Sequence, residues 1–357
     1  MTKKEQKKTQ HKSLRDAKSA KKDEFYTQLT DIEKEARFFK EQFNGKSIYC
    51  NCDDPRVSNF FQYFSLNFEH LKLKKLTTTC YKNNNIDLFS KRSKEHAITL
   101  EYMGDKNKNG IPDIEEIGIR KLSGDGDFRS KECEDLLEKA DIVVTNPPFS
   151  LFREYLDQLI RFEKKFLIIG SMNAVTYREV FSLIKSKKLW MGASIKSGDR
   201  EFGVPKDYEI TASGSRIDSD GNKFVRVKGV RWFTNLDYKE RYEPIILYKK
   251  YSEEEYPKYE NLDAINVNKT ADIPEDYDGL MGVPITFMDR YNPNQFKIIG
   301  LGISNSGKEI GVKPYKPEHK KYRKEVQKRG AVDGDLYMIE DGEVKVPYAR
   351  IIIQRRN

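Results

Sequence analysis

Apolar residues early in the chain recur at helical spacing. Ile32, Ala36, Phe39 and Phe43 share one face, which predicts an amphipathic helix over 30–43. Lys46 to Cys50 then reads as a short strand, closed by the polar turn Asn51-Cys52-Asp53-Asp54-Pro55. Phe60, Phe61, Phe64 and Leu66 predict a helix packed on a sheet, and Leu76 to Tyr81 a second strand. Two runs, Ile98 to Met103 and Ile117 to Leu122, flank a polar turn and predict a hairpin inserted into an α/β core. Asp141 to Thr145 has the uninterrupted apolar character of a buried parallel strand. Leu151 to Ile160 predicts the helix after it, Lys165 to Gly170 the next strand, and 177–188 another helix. Val225 to Phe233 and Pro244 to Tyr248 alternate like edge or hairpin strands, and the chain closes on a strand from Tyr348 to Gln354.

Composition shifts near residue 250, where acids, tyrosines and prolines dominate 251–278. The expected organisation is a basic arm over 1–22, a catalytic α/β domain over 23–250 and a separate region over 251–357. No apolar run is long enough to span a bilayer, and the lysine-rich start lacks the apolar stretch of a signal peptide. A soluble, cytoplasmic protein is expected. Four cysteines without a CxxC pair, and only four histidines, argue against structural zinc.

The net charge is +9, and the excess is concentrated. Residues 1–22 hold nine Lys/Arg against two acids, and 308–330 hold nine against three. Both runs suit a phosphate backbone, where contact releases counterions. Lys320, Lys321 and Arg323 lie in the second run. The segment 193–224, rich in Gly, Ser, Asp, Lys and Arg, is expected to be a loop that orders around nucleic acid through Lys196, Arg200 and Arg216.

The most specific chemistry is Asn146-Pro147-Pro148-Phe149, directly after the buried strand. Open α/β sheets bind their ligands at the carboxyl ends of strands. An exocyclic amine on an aromatic ring is a poor nucleophile because its lone pair is delocalised. Two acceptors that take its two protons localise and aim that pair. The Asn146 side-chain oxygen and the Pro147 carbonyl are the candidates. Proline presets φ, and Pro148 restricts Pro147 further. Phe149 offers a ring face for an extruded base.

The first strand-loop, Ser47 to Pro55, carries no glycine-rich phosphate cradle. A cationic ligand without phosphates favours nearby carboxylates instead, here Asp53 or Asp54. Gly124-Asp125-Gly126-Asp127-Phe128 supplies a second candidate contact. Asp127 is a candidate acceptor for a ligand's adenine amine, with Phe128 as the candidate to cover the ring. Phe25 and Tyr26 are candidates to close over the same ligand.

Together these residues resemble the EcoRI-type adenine-specific DNA methyltransferases of restriction-modification systems. Asn146 to Phe149 matches that family's catalytic motif. Asp23 to Gln28, with Phe25, Tyr26 and Thr27, looks like its first donor-binding motif. Asn51 to Pro55 looks like the donor loop, and Gly126-Asp127-Phe128 like the donor-adenine motif. The likeness extends through Phe166 to Asn173, Arg231 to Leu236, Gly282 to Phe287 and Arg350 to Ile353. It implies a Rossmann-like, S-adenosylmethionine-dependent methyltransferase fold with a mainly parallel sheet and a C-terminal target-recognition region. It also implies a flipped adenine in double-stranded DNA, a monomer, and a cognate restriction endonuclease, where there is one, acting separately. The alternatives are a DNA-binding protein on an inactive fold, or an enzyme for cytosine N4 or RNA adenine.

One motif stands apart. Asp105, Asn107, Asn109, Asp113 and Glu116 fall at the spacing of a calcium loop. The flanks read as strands rather than helices, and Pro112 removes a backbone donor. A polar hairpin turn is therefore the expectation, with no metal in the reaction.

Overall fold

The computed structural model describes residues 25–52, 58–79, 97–113, 115–205, 208 and 214–356. The predicted arm over 1–22, together with Asp53 and Asp54, lies outside the described residues. The chain divides into two compact units. One comprises residues up to Ser171 with Gly192–Tyr238; the other comprises Met172–Met191 with Lys239 onward.

In the first unit the sheet runs Gly118–Lys121, Ile98–Tyr102, Lys75–Thr79, Ser47–Cys50, Ile142–Thr145, Lys165–Ser171, Val230–Thr234. The four central strands are parallel. The strands outside them are antiparallel. The sheet is therefore mixed, where the sequence predicts a mainly parallel one. The inserted hairpin turns one edge antiparallel, and the returning 230–234 strand does the same on the other side.

Strand alternation sorts the apolar residues onto two faces. Ile48, Leu76, Val144, Leu167 and Ile169 join one core cluster with Ile32, Ala36, Phe39, Phe43, Phe60 and Phe64. Those partners come from the helical segments Leu29–Ala36, Arg37–Phe39, Lys40–Phe43 and Asn59–Leu66. The last of these starts where Ser58 accepts from Phe60 N at 3.2 Å, an N-cap that satisfies one free helix donor. The helix Phe152–Arg161 serves the opposite face. It buries Phe152, Tyr155, Leu156 and Leu159 at helical spacing, and Phe152 meets Phe233 with ring centroids 5.0 Å apart.

A second sheet in this unit corrects the expected loop over 193–224. Asp199–Val204 and Ser215–Ile217 are strands that join Lys223–Lys228 and the short edge Tyr26–Thr27 in an antiparallel sheet. The single strand predicted over Val225 to Phe233 is thus two strands in two sheets.

The second unit is built on Arg350–Arg355, flanked antiparallel by Met281–Pro284 and Phe296–Gly302. Ile351, Ile352 and Ile353 are all fully buried, so both faces of this strand are covered. Pro244 to Tyr248 is not a strand. Its backbone is held at Ile245 by the Gln295 side chain, which accepts from Ile245 N and donates to Ile245 O, both at 2.8 Å.

Candidate active site

The order of strands reverses between Ser47–Cys50 and Ile142–Thr145. The chain runs from the first of these out to Lys75–Thr79 on one side, then returns to place 142–145 on the other. Such a switch point opens a crevice at the carboxyl ends of the strands, where α/β folds bind ligands. Asn51 and Asn146 are the residues that leave those two strands.

Asn51 is buried and links the ends of these strands to the helix Phe152–Arg161. Its carbonyl accepts from Thr145 Oγ1, and its side-chain oxygen accepts from the Tyr155 hydroxyl. Burial pushes the Tyr155 hydroxyl well above its ordinary range, so it remains a donor at any physiological pH. Cys52, the next residue, holds φ at +82°. That left-handed conformation is one a glycine adopts without strain.

Asn146 is 6% exposed. Its Nδ2 donates to the Phe25 carbonyl at 2.7 Å. A carbonyl only accepts, so the amide nitrogen must face Phe25 and the amide oxygen must face away. That oxygen, Oδ1, is buried and has no hydrogen-bond partner. An orphaned buried acceptor costs about 1–3 kcal/mol. A fold that keeps one, fixed in direction, presents a site for an incoming donor.

The rest of the motif is held rigidly. Pro147 is buried and Pro148 half-buried. The Pro148 carbonyl accepts from Leu151 N at 2.9 Å, which closes the turn into the 149–151 helical turn. Phe149 is half-buried and meets Phe25 at 5.7 Å and Phe202 at 6.4 Å between centroids; Phe25 and Phe202 are 5.8 Å apart. Tyr26 and Thr27 pair with Gly203 and Phe202. That strand pairing fixes the Phe25 carbonyl, and through it the Asn146 amide. Thr27 Oγ1 is a second buried oxygen without a partner.

The structure brings Phe25, Tyr26, Thr27, Asn146 and Phe149 together, with Asn51 one strand away. Asp127 and Phe128 are otherwise engaged. The Asp127 carboxylate accepts from Arg129 N and Nε at 2.9 Å and from Nη2 at 2.7 Å. Phe128 is buried edge-on against Tyr155, centroids 5.1 Å apart. Arg200 donates from Nη1 to Asp199 O at 3.2 Å, and its buried Nε has no partner. Arg216 grips Glu201, with Nη2 2.6 Å from Oε2, and stacks over Phe224 at 4.1 Å. Lys196 is exposed.

In the second unit, Lys320 pairs with Asp333 at 3.0 Å and Arg323 donates to Gly330 O and Gln327 Oε1. Lys321 is exposed on the same helix, Pro317–Glu325. Sequence reasoning missed Phe202 and Tyr155. Phe202 and Val204 alternate in a stretch whose other residues are charged or glycine. Tyr155 lies on the apolar face of its helix, where its ring was legible and its hydroxyl's partner was not.

The family model described as "Adenine-specific methyltransferase EcoRI" matches residues 13–356. The chain is 50% identical to the Type II methyltransferase M.EcoRI of Escherichia coli, over 85% of this chain and 93% of that protein. It is 40% identical to the Type II methyltransferase M.MgeORF184P of Mycoplasma genitalium, over 79% and 84% respectively. It is 38% identical to M.MpnI of Mycoplasma pneumoniae, over 79% and 83%. No solved structure matches.

Proposed function

This chain belongs to the EcoRI family of adenine-specific methyltransferases and is a site-specific adenine methyltransferase, and we propose how its own residues act on adenine N6 in double-stranded DNA. The observation that carries the proposal is the Asn146 amide: its nitrogen is tied to the Phe25 carbonyl and its oxygen is buried and unpartnered. That oxygen accepts one N6 proton. The Pro147 carbonyl accepts the other. Together they rotate the nitrogen lone pair out of conjugation and aim it, at no reorganisation cost during the reaction. Phe149 supports the flipped ring on its face. The N6 proton becomes acidic once the nitrogen is methylated, so it leaves late and no strong base is needed.

S-adenosylmethionine, when bound, supplies the electrophilic methyl group. What supports this reading is the reversal of strand order beside Asn51 and Asn146, an acidic rather than glycine-rich sequence over 51–55, and a Thr27 hydroxyl oxygen without a partner. We assign its binding to Phe25, Tyr26, Thr27, Asn51, Asp53, Asp54, Asp127, Phe128 and Asn146. For Asp127, this requires it to accept an additional donor beside Arg129.

DNA backbone contact is assigned to the basic arm over 1–22, to Lys196, Arg200 and Arg216, and to Lys320, Lys321 and Arg323. Target reading is assigned to 251–357. The enzyme acts as a monomer, with any cognate endonuclease working separately. Among the described residues no helix is long and apolar enough to cross a membrane.

The test is incubation of the purified chain with S-adenosylmethionine and random-sequence duplex DNA, then nucleoside analysis and mapping. N6-methyladenine at one recurring sequence is expected. N4-methylcytosine, or no methylated DNA, overturns the proposal.

A further inference from the structure

The loop between Ile98–Tyr102 and Gly118–Lys121 is not used by the chemistry above. Tyr102 pairs with Leu76, at the start of the parallel strand Lys75–Thr79. Asn146 follows the end of a strand running the same way. The loop therefore sits at the opposite end of the sheet from the candidate active site.

We propose that Asp105, Asn107, Asn109, Asp113 and Glu116 form a calcium site through their side-chain oxygens. The spacing matches the twelve-residue calcium loop, with side-chain oxygens at positions one, three, five, nine and twelve and glycine at six. Gly110 occupies that sixth position at φ +80°, the left-handed turn the wrapping requires.

The observation that points to a ligand is Glu116. It is 8% exposed, and its Oε2 is buried with no partner. Its Oε1 accepts from Lys106 N at 2.5 Å and Asn107 N at 3.1 Å, so the carboxylate faces into the loop. A carboxylate oxygen buried without a donor is costly unless a cation meets it.

The other oxygens line the same turn. Asp105 accepts from Gly110 N at 2.7 Å and Asn109 N at 3.1 Å. Asp113 Oδ2 accepts from the Asn107 and Asn109 side chains at 2.6 and 3.1 Å. Among the described residues no three acidic, histidine or cysteine side chains already converge on one point. The Asn107 and Asn109 amides turn their nitrogens toward Asp113, while their oxygens accept from Asn109 N at 3.0 Å and Ile111 N at 2.8 Å. Each of these oxygens keeps a second lone pair, and a bound cation would replace the amide donors on Asp113 Oδ2.

Pro112 does not oppose this. It lacks an N–H, and calcium ligation uses oxygens. Strand flanks in place of helices change what the loop is attached to, not its donor set. An all-oxygen set with three carboxylates favours a hard cation of calcium size over zinc.

The test is calorimetric titration of the full-length, chelator-stripped protein with calcium chloride, with magnesium chloride as control. One calcium per chain is expected, with a dissociation constant up to millimolar, together with a rise of about 2 °C in the thermal midpoint at calcium about tenfold above that constant. Glu116→Gln and Asp105→Asn should each weaken uptake by about tenfold or more. Asp105 is half-exposed, so its variant keeps the test decisive if Glu116→Gln fails to fold. No uptake by the unaltered chain, or uptake that neither variant weakens, overturns the proposal.

Discussion

Asn146→Ala should separate catalysis from stability. In the folded protein Asn146 makes one hydrogen bond, to Phe25 O at 2.7 Å, and leaves Oδ1 buried and unpaired. The substitution strips the Phe25 carbonyl of its donor, which costs about 1–3 kcal/mol. It also removes the orphaned oxygen, which returns about the same amount. The two nearly cancel, so the urea midpoint should move by the equivalent of about 1 kcal/mol or less. The chemical step has no such compensation. Losing one preorganised partner of the reacting group typically costs about a hundredfold to a thousandfold in rate.

The assay is single-turnover transfer of labelled methyl to DNA, run beside urea unfolding and donor binding on the same preparations. Asn146→Asp extends the test. It sets an acceptor against the Phe25 carbonyl, so it should destabilise the fold more than alanine does. A chemical step within a few-fold of the unaltered enzyme would refute the proposed role. So would a loss of stability large enough by itself to account for the lost rate.

Two further predictions concern the packing of Glu35 against Gly192 and Trp232. A Cβ at Gly192 would lie 2.2 Å from Glu35 Oε1 and 2.5 Å from Trp232 Cβ, so Gly192→Ala should lower stability by about 1–3 kcal/mol. An unchanged thermal midpoint would mean that the packing there is looser than the structure indicates. Glu35 is buried and accepts from Ala193 N and Ser194 N, each at 2.7 Å. Burial pushes its carboxyl above the ordinary 4.5, outweighing these hydrogen bonds and the Lys196 charge. The folded state therefore holds this proton more tightly than the unfolded chain. Its stabilising contribution is full below 4.5 and is lost as pH rises through the raised value. Glu35→Gln removes that dependence, so the stability gap between the two proteins should shift toward the variant as pH rises. Parallel stability–pH curves would contradict it.

The local chain carried much of this protein. Apolar residues at helical spacing predicted the helical stretch over 30–43, and the run ending in Thr145 predicted the buried strand. A proline pair after an asparagine marked the candidate site, because its rigidity and its donor–acceptor inventory are properties of the residues themselves. The calcium spacing was equally visible.

Tertiary structure decided whatever depends on a distant partner. Asn146 has a direction because of a carbonyl 121 residues earlier in the chain. Phe202 reaches the site because an antiparallel register sets it beside Thr27. The 199–204 strand was hidden since only two of its residues face inward. Pro244 to Tyr248 looked like a strand, yet Gln295 takes its backbone bonds. Glu116 is informative because packing encloses its second oxygen. Periodicity and residue chemistry act over a few neighbouring positions. Burial and hydrogen-bond satisfaction are settled only when segments far apart in the chain pack together.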